Sequence, residues 1–201
     1  MYIYIGGDSF CAARDNDQNH WPAILAKLAN LKLEGKGFAG LSWWTTRKHL
    51  INYIQSNKFN NTDYFIFVHT DFNRALCDSE ILFPNSIIET YRKYFHSYDI
   101  SSWIREQWFS ELTQLLKSKK VIHLHGFDES ISSIAKLDGV NLTPCLLELS
   151  MNELGSSLDE DRSKFIEDNR SNHLSPENNQ KLASFINNVL NESSKEIKIL
   201  L

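Results

Sequence analysis

Gly7-Asp8-Ser9 closes the first apolar run of the chain, and His173 stands in a polar segment directly ahead of the last amphipathic run. A serine just past a strand, in a glycine-rich turn leading toward a helix, presents its hydroxyl outward and keeps its backbone N–H available to a developing oxyanion. A hydroxyl is a poor nucleophile until a base takes its proton, so the chemistry needs an imidazole brought beside it by the fold. His173 is the candidate base, because a loop position ahead of a helix can present its ring at a sheet edge. Taken singly, Ser9 is a turn serine and His173 an exposed loop histidine. As a pair they describe nucleophilic attack on a carbonyl.

A second polar set competes with the first. His123-Leu124-His125-Gly126 puts two imidazoles on one face of a strand by its period of two. Asp8, His69 and Asp71 are then expected at neighbouring strand ends, a set able to hold divalent ions for phosphoester hydrolysis. No Asp-x-His or His-Glu-x-x-His motif accompanies it, and it leaves Ser9 without a role. No metal is therefore assigned.

The elements that must position these residues follow from patterning. Tyr2–Ile5 reads as a buried strand stopped by Gly6-Gly7. Trp21-Pro22 opens a helix with Ile24, Leu25, Leu28 and Leu31 on one face, and Gly35, Gly37 and Gly40 punctuate the loop after it. Trp43–Ile54 reads as a second helix. Tyr64–Val68, five aromatic or β-branched residues in a row, has the composition of a parallel strand covered on both faces. Residues 75–100 are read as an insertion or lid carrying a short helix, broken at Phe83-Pro84-Asn85. Ser101-Ser102 is expected to cap a helix running to Leu116, with Trp103, Ile104, Trp108, Leu112 and Leu115 at helical spacing.

Val121–Leu124 and Cys145–Leu149 are expected as further strands, and acid-rich 148–168 as a solvated loop or surface helix. Ser175-Pro176-Glu177 opens the last helix, with Ser175 as its N-cap. Strands alternating with helices predict a single α/β domain over 1–201, a parallel sheet covered on both faces in a three-layer α/β/α sandwich. The three suspicious clusters, at Ser9, at His69–Arg74 and at His123–Gly126, then all fall at carboxyl ends of strands, where such sheets place their sites.

Composition narrows the function classes. The chain has 201 residues with 21 basic against 25 acidic side chains, a formal charge of −4, so no basic surplus points to nucleic acid. Cys11, Cys77 and Cys145 are odd in number and lack CxxC spacing, which predicts reduced thiols in a cytoplasmic protein. No apolar run reaches the roughly 18 residues of a membrane helix, and MYIYIGGDSF carries no basic n-region of a signal peptide. The expectation is a cytoplasmic protein with no membrane partner.

Taken together, these residues resemble the SGNH/GDSL hydrolase family. Gly7-Asp8-Ser9-Phe10 after the opening strand is similar to the family's first block, whose serine is the nucleophile. Asn172-His173-Leu174-Ser175-Pro176-Glu177-Asn178, followed by Lys181-Leu182-Ala183, is similar to the last block, in which a histidine precedes the C-terminal helix. Gly40, in Gly37-Phe38-Ala39-Gly40-Leu41-Ser42-Trp43, is similar to the second block, whose glycine N–H helps form the oxyanion hole. The resemblance spans essentially the whole chain and implies a flavodoxin-like SGNH architecture. It also implies a serine esterase acting through an acyl-serine on a small-molecule or glycan ester, a carbohydrate O-acetyl group among the candidates, with no cofactor.

Two blocks depart from the family pattern. Where Gly-x-Asn-Asp is usual, His69-Thr70-Asp71-Phe72-Asn73-Arg74 follows the central strand. Ungapped alignment puts Asp71 in the asparagine's place, where a carboxylate would repel an oxyanion. Asn73 supplies the amide donor that the chemistry needs. Arg74 either assists an acidic substrate or pairs with Asp71. Three residues before the histidine, where the family carries an acid, stands Arg170. Either Asp168 reaches His173 through a bulged loop or a backbone carbonyl sets the tautomer of a Ser-His dyad. Trp43, Trp44, Trp103 and Trp108 either offer aromatic surfaces to a substrate or pack the core; helix-spaced Trp103 and Trp108 read as core, whereas adjacent Trp43 and Trp44 do not both face one core. The alternative reading is a catalytically degenerate binding or structural protein on the same fold.

Overall fold

The computed structural model of the chain describes residues 1–12, 18–35, 37–38, 42–70, 98–127, 137–143, 145–155, 171–191 and 196–198. Its strands are β1 (Tyr2–Gly7), β2 (Lys32–Glu34), β3 (Thr62–His69), β4 (Lys120–His125), β5 (Val140–Thr143) and β6 (Glu196–Lys198). They form one sheet in the order β2-β1-β3-β4-β5-β6, every neighbouring pair parallel. Among the described residues the α-helices are α1 (Trp21–Leu28), α2 (Trp43–Ile54), α3 (Tyr98–Leu115), α4 (Leu146–Glu153) and α5 (Pro176–Val189).

Strand alternation sorts the apolar residues into two cores. Ile3, Ile5, Ile66, Val68, Ile122, Leu124 and Leu142 face one side, where Trp21 and Leu25 of α1, Leu146 and Met151 of α4, and Leu182 and Ile186 of α5 cover them. Tyr4, Phe65, Phe67 and Val121 face the other, beneath Trp43 and Leu50 of α2 and Trp108, Phe109 and Leu112 of α3. With both faces buried, the central strands carry unbroken apolar runs, which is why Tyr64–Val68 was legible. The three-layer α/β/α architecture is the one expected. Its order runs outward from β1 in both directions, so the switch point of the sheet lies between the carboxyl ends of β1 and β3.

The structure corrects several expectations. Cys145–Leu149 is not a strand: Cys145 is the N-cap of α4, whose Leu146, Leu147, Ser150 and Met151 are buried at helical spacing. The strand of this region lies earlier, at β5. Ser101 and Ser102 do not cap α3, which already begins at Tyr98, so the expected insertion over 75–100 gives up its last three residues to that helix. Residues 75–97 and 156–168 of the expected insertion and acidic loop lie outside the described residues. Trp108 is buried as expected, whereas Trp103 is 61% exposed, since it stands on the outer face of α3. Trp43 faces the core and Trp44 is 41% exposed, the split that adjacency on a helix requires. Among the described residues no helix is long and apolar enough to cross a membrane.

Candidate active site

β1 ends where its backbone leaves the range open to most side chains. Gly7 has φ 151°, and a Cβ there would lie 2.2 Å from the Val68 carbonyl oxygen of β3, so only glycine lets the two strands close at this rung. Asp8 follows, fully buried, and its Oδ1 accepts a hydrogen bond from the Phe10 N–H at 3.0 Å. This contact caps a short 3-10 turn over Ser9–Cys11. The carboxylate also reaches across the end of β3, because a Cβ on Gly126 after β4 would lie 2.3 Å from Asp8 Oδ2. Asp8 thus packs its carboxylate against the backbone at the end of β4, where a side chain on Gly126 would collide with it. Ser9 sits at the switch point with 9% of its surface exposed.

The chain ahead of α2 runs alongside this turn. Phe38 donates its N–H to the Gly7 carbonyl at 3.2 Å, and Gly37 pairs with Gly7 as an extra parallel rung. Gly40, the expected oxyanion donor two residues on, lies outside the described residues, as do Asp71, Asn73, Arg74 and Asp168.

His173 closes a second 3-10 turn, Ser171–His173, in which Asn172 and His173 both adopt left-handed backbone, φ 49° and 61°. Ser150 of α4 donates its hydroxyl to the His173 carbonyl at 2.7 Å. Two residues later Ser175 caps α5: its Oγ accepts from the Asn178 N–H at 3.1 Å and donates to Glu153 Oε1, also at 3.1 Å.

The two turns interlock. The Phe10 ring lies 5.1 Å from the His173 ring, and the Phe10 carbonyl accepts from Asn172 Nδ2 at 3.2 Å and from the Trp21 indole N–H at 2.8 Å. Asn172, Asn179 and Trp21 are the residues that sequence reasoning missed. A signal for one of them was present: Asn179 falls on the apolar stripe of α5, in register with Leu182, Ala183 and Ile186. A buried amide at such a position needs partners nearby.

The histidines expected on one strand face are there, but they serve each other. His69 faces His125 across the β3–β4 ladder, with His123 one rung pair earlier on the same side. His123 Nε2 lies 3.1 Å from the Asp138 carbonyl oxygen, an acceptor only, so this nitrogen carries the proton. Nδ1 of neutral His123 then accepts from His69 Nε2 at 2.9 Å. Burial holds His69 well below the ordinary imidazole range and brings His123 to about 4 and His125 to about 3. Among the described residues no group of three His, Cys, Asp or Glu side chains is arranged to hold a metal ion.

No family model matches this sequence, and no curated protein matches it. A search of solved structures finds the "structure of a putative lipolytic protein of G-D-S-L family" from Desulfitobacterium hafniense DCB-2, at 14% identity and a TM-score of 0.47. The match covers 94% of this chain and 99% of that one.

Proposed function

We propose that this protein is a serine hydrolase of carboxylic esters, with Ser9 as nucleophile and His173 as general base. The observation that carries the reading is the interlock of Phe10 with His173 and Asn172, which packs the turn bearing Ser9 onto the turn bearing the imidazole. His173 takes the Ser9 proton as Oγ attacks the ester carbonyl. The Ser9 N–H, the Gly40 N–H and the Asn73 amide are the proposed donors to the tetrahedral oxyanion. Collapse releases the alcohol, protonated by His173, and leaves an acyl-serine. Water, deprotonated by His173, then frees the acid. Asp168 is proposed to orient the ring, and Asp71 and Arg74 to border the substrate. The proposed substrate is a small ester or a glycan O-acyl group met in the cytoplasm, with neither membrane nor nucleic acid as partner.

Hydrolysis of p-nitrophenyl acetate and butyrate by the wild type and Ser9→Ala, with a chelator present, tests the reading. The expected result is turnover that survives chelation and falls by at least about a thousandfold in the variant. Labelling of Ser9 by a fluorophosphonate supplies a readout that does not depend on substrate choice. Failure of both would favour the competing reading, a binding protein on this fold, for which Arg170 in place of an acid is the supporting observation.

A further inference from the structure

Asn179 makes contacts that the α5 backbone does not need. Its side chain is buried, 3% exposed, one turn into the helix. Oδ1 accepts from the Trp21 backbone N–H and from Asn172 Nδ2, each at 2.8 Å. Nδ2 lies 3.1 Å from Asn172 Oδ1, 3.1 Å from the Leu174 carbonyl and 3.0 Å from the Ser175 carbonyl. Each partner has its own reason to need it. The Trp21 N–H belongs to the first turn of α1, where backbone donors have no partner within the helix, and the N-cap His20 makes no side-chain capping bond. The Leu174 and Ser175 carbonyls flank the entry to α5.

Asn172 is the other half of a reciprocal amide pair and adopts the left-handed conformation that asparagine tolerates better than most residues. Its Nδ2 also reaches the Phe10 carbonyl. One continuous chain of hydrogen bonds therefore runs from the residue after Ser9, through Asn172, to Asn179 and on to α1.

We propose that Asn179 is a positioning residue. Through Asn172 it holds the left-handed Asn172–His173 turn against the Ser9 turn, and so sets the place of the imidazole relative to the serine. The inference rests on the Ser9–His173 reading for its catalytic meaning. Only an amide fits the role, since the position needs an acceptor for two N–H groups and two N–H donors shared among three carbonyl oxygens. Asp lacks the donors and Leu lacks both. Asn179 touches no reacting atom and acts through Asn172 and through the Leu174 and Ser175 carbonyls that follow His173.

The test uses Asn179→Ala, Asn172→Gly and, as a control on the exposed side of α5, Gln180→Ala. Glycine suits the left-handed backbone at 172, so that variant removes the amide without straining the turn. Two readouts are taken on protein with native circular dichroism: the His173 ring Cε1–H resonance and its titration midpoint, assigned by loss in His173→Gln, and the pH profile of Ser9 labelling by a fluorophosphonate. The expected result is a His173 resonance displaced from the shielding of the Phe10 ring and a moved midpoint in both amide variants. Labelling slows by about tenfold to a hundredfold, the scale of a misplacement near 1 Å. Gln180→Ala changes none of these.

Unchanged His173 resonance and midpoint in the folded variants would overturn the proposal. If Asn179→Ala does not fold, Asn172→Gly decides on the same readouts. If wild-type protein is not labelled, the esterase reading fails, while the resonance and midpoint of His173 still decide whether Asn179 positions it.

Discussion

Phe10 and His173 meet ring to ring at 5.1 Å, although they come from opposite ends of the chain. Phe10 is fully buried and is also held edge-on by Phe127 at 5.7 Å, so the ring that meets the imidazole is itself fixed by packing. Phe10→Ala is expected to cost about 3–5 kcal/mol through the cavity it opens. Phe10→Leu keeps most of the volume and should cost about 1 kcal/mol. Denaturant midpoints measure both. If Ser9 and His173 act together, Phe10→Leu should also lower esterase activity by more than its small loss of stability explains.

Gly7 and Gly155 provide a matched pair of glycine substitutions. Gly7→Ala drives a Cβ to 2.2 Å from the Val68 carbonyl at φ 151°, and on the order of 3 kcal/mol of stability should be lost, with Ser9 displaced as well. Gly155 also has positive φ, 65°, but among the described residues nothing stands within 4 Å of its Cβ position. Gly155→Ala should cost only about 1 kcal/mol, the backbone share alone. Thermal melts of the two variants separate the steric contribution from the conformational one.

Acid should weaken the fold through the buried histidines. Above pH 6.5, the ordinary imidazole value, His69, His123 and His125 are neutral in both folded and unfolded chains, and their packing contributes in full. As pH falls below that value the unfolded chain takes up protons that the folded one refuses until about 4 at His123 and about 3 at His125. Each histidine then removes about 1.4 kcal/mol per pH unit. Arg105, whose charge contributes to lowering His125, adds to the penalty. The urea midpoint followed from pH 7 to pH 4 should fall, and His125→Gln should make the fall shallower by about one proton's worth.

The thiols should separate by burial. Cys11 is buried, its Sγ lies 3.4 Å from the Asp8 carbonyl, and burial with the Asp8 charge pushes its pKa well up. Cys145 is half-buried at the start of α4. Alkylation of the native protein, mapped by peptide mass, should modify Cys145 while Cys11 reacts only on unfolding.

Much of the fold was legible because both faces of the sheet are buried. Tyr2–Ile5, Tyr64–Val68 and Val121–Leu124 carry the continuous apolar runs that such strands require, and the Ser175-Pro176 start of α5 follows from capping chemistry alone. The three-residue strands β2 and β6 escaped, because so short an edge segment as Lys32–Glu34 shows neither alternation nor an apolar run. Cys145–Leu149 misled for a related reason: over five residues an apolar run fits a strand or one turn of a buried helix equally well.

The same division holds at the site. Local order by itself determined that Ser9 would end the first strand in a glycine turn and that His173 would stand just ahead of the last helix, since both statements concern only neighbours along the chain. That the two turns touch was decided by the tertiary structure, through the packing of α1 against α5 and the amides of Asn172 and Asn179 that join them. The gathering of His69, His123 and His125 on one side of the sheet, with His69 hydrogen-bonded to His123 and ring to ring with His125, likewise follows from the register of β3 on β4. Hydrogen bonds between residues far apart in sequence leave no periodic trace, because their partners are chosen by the fold and not by chain spacing.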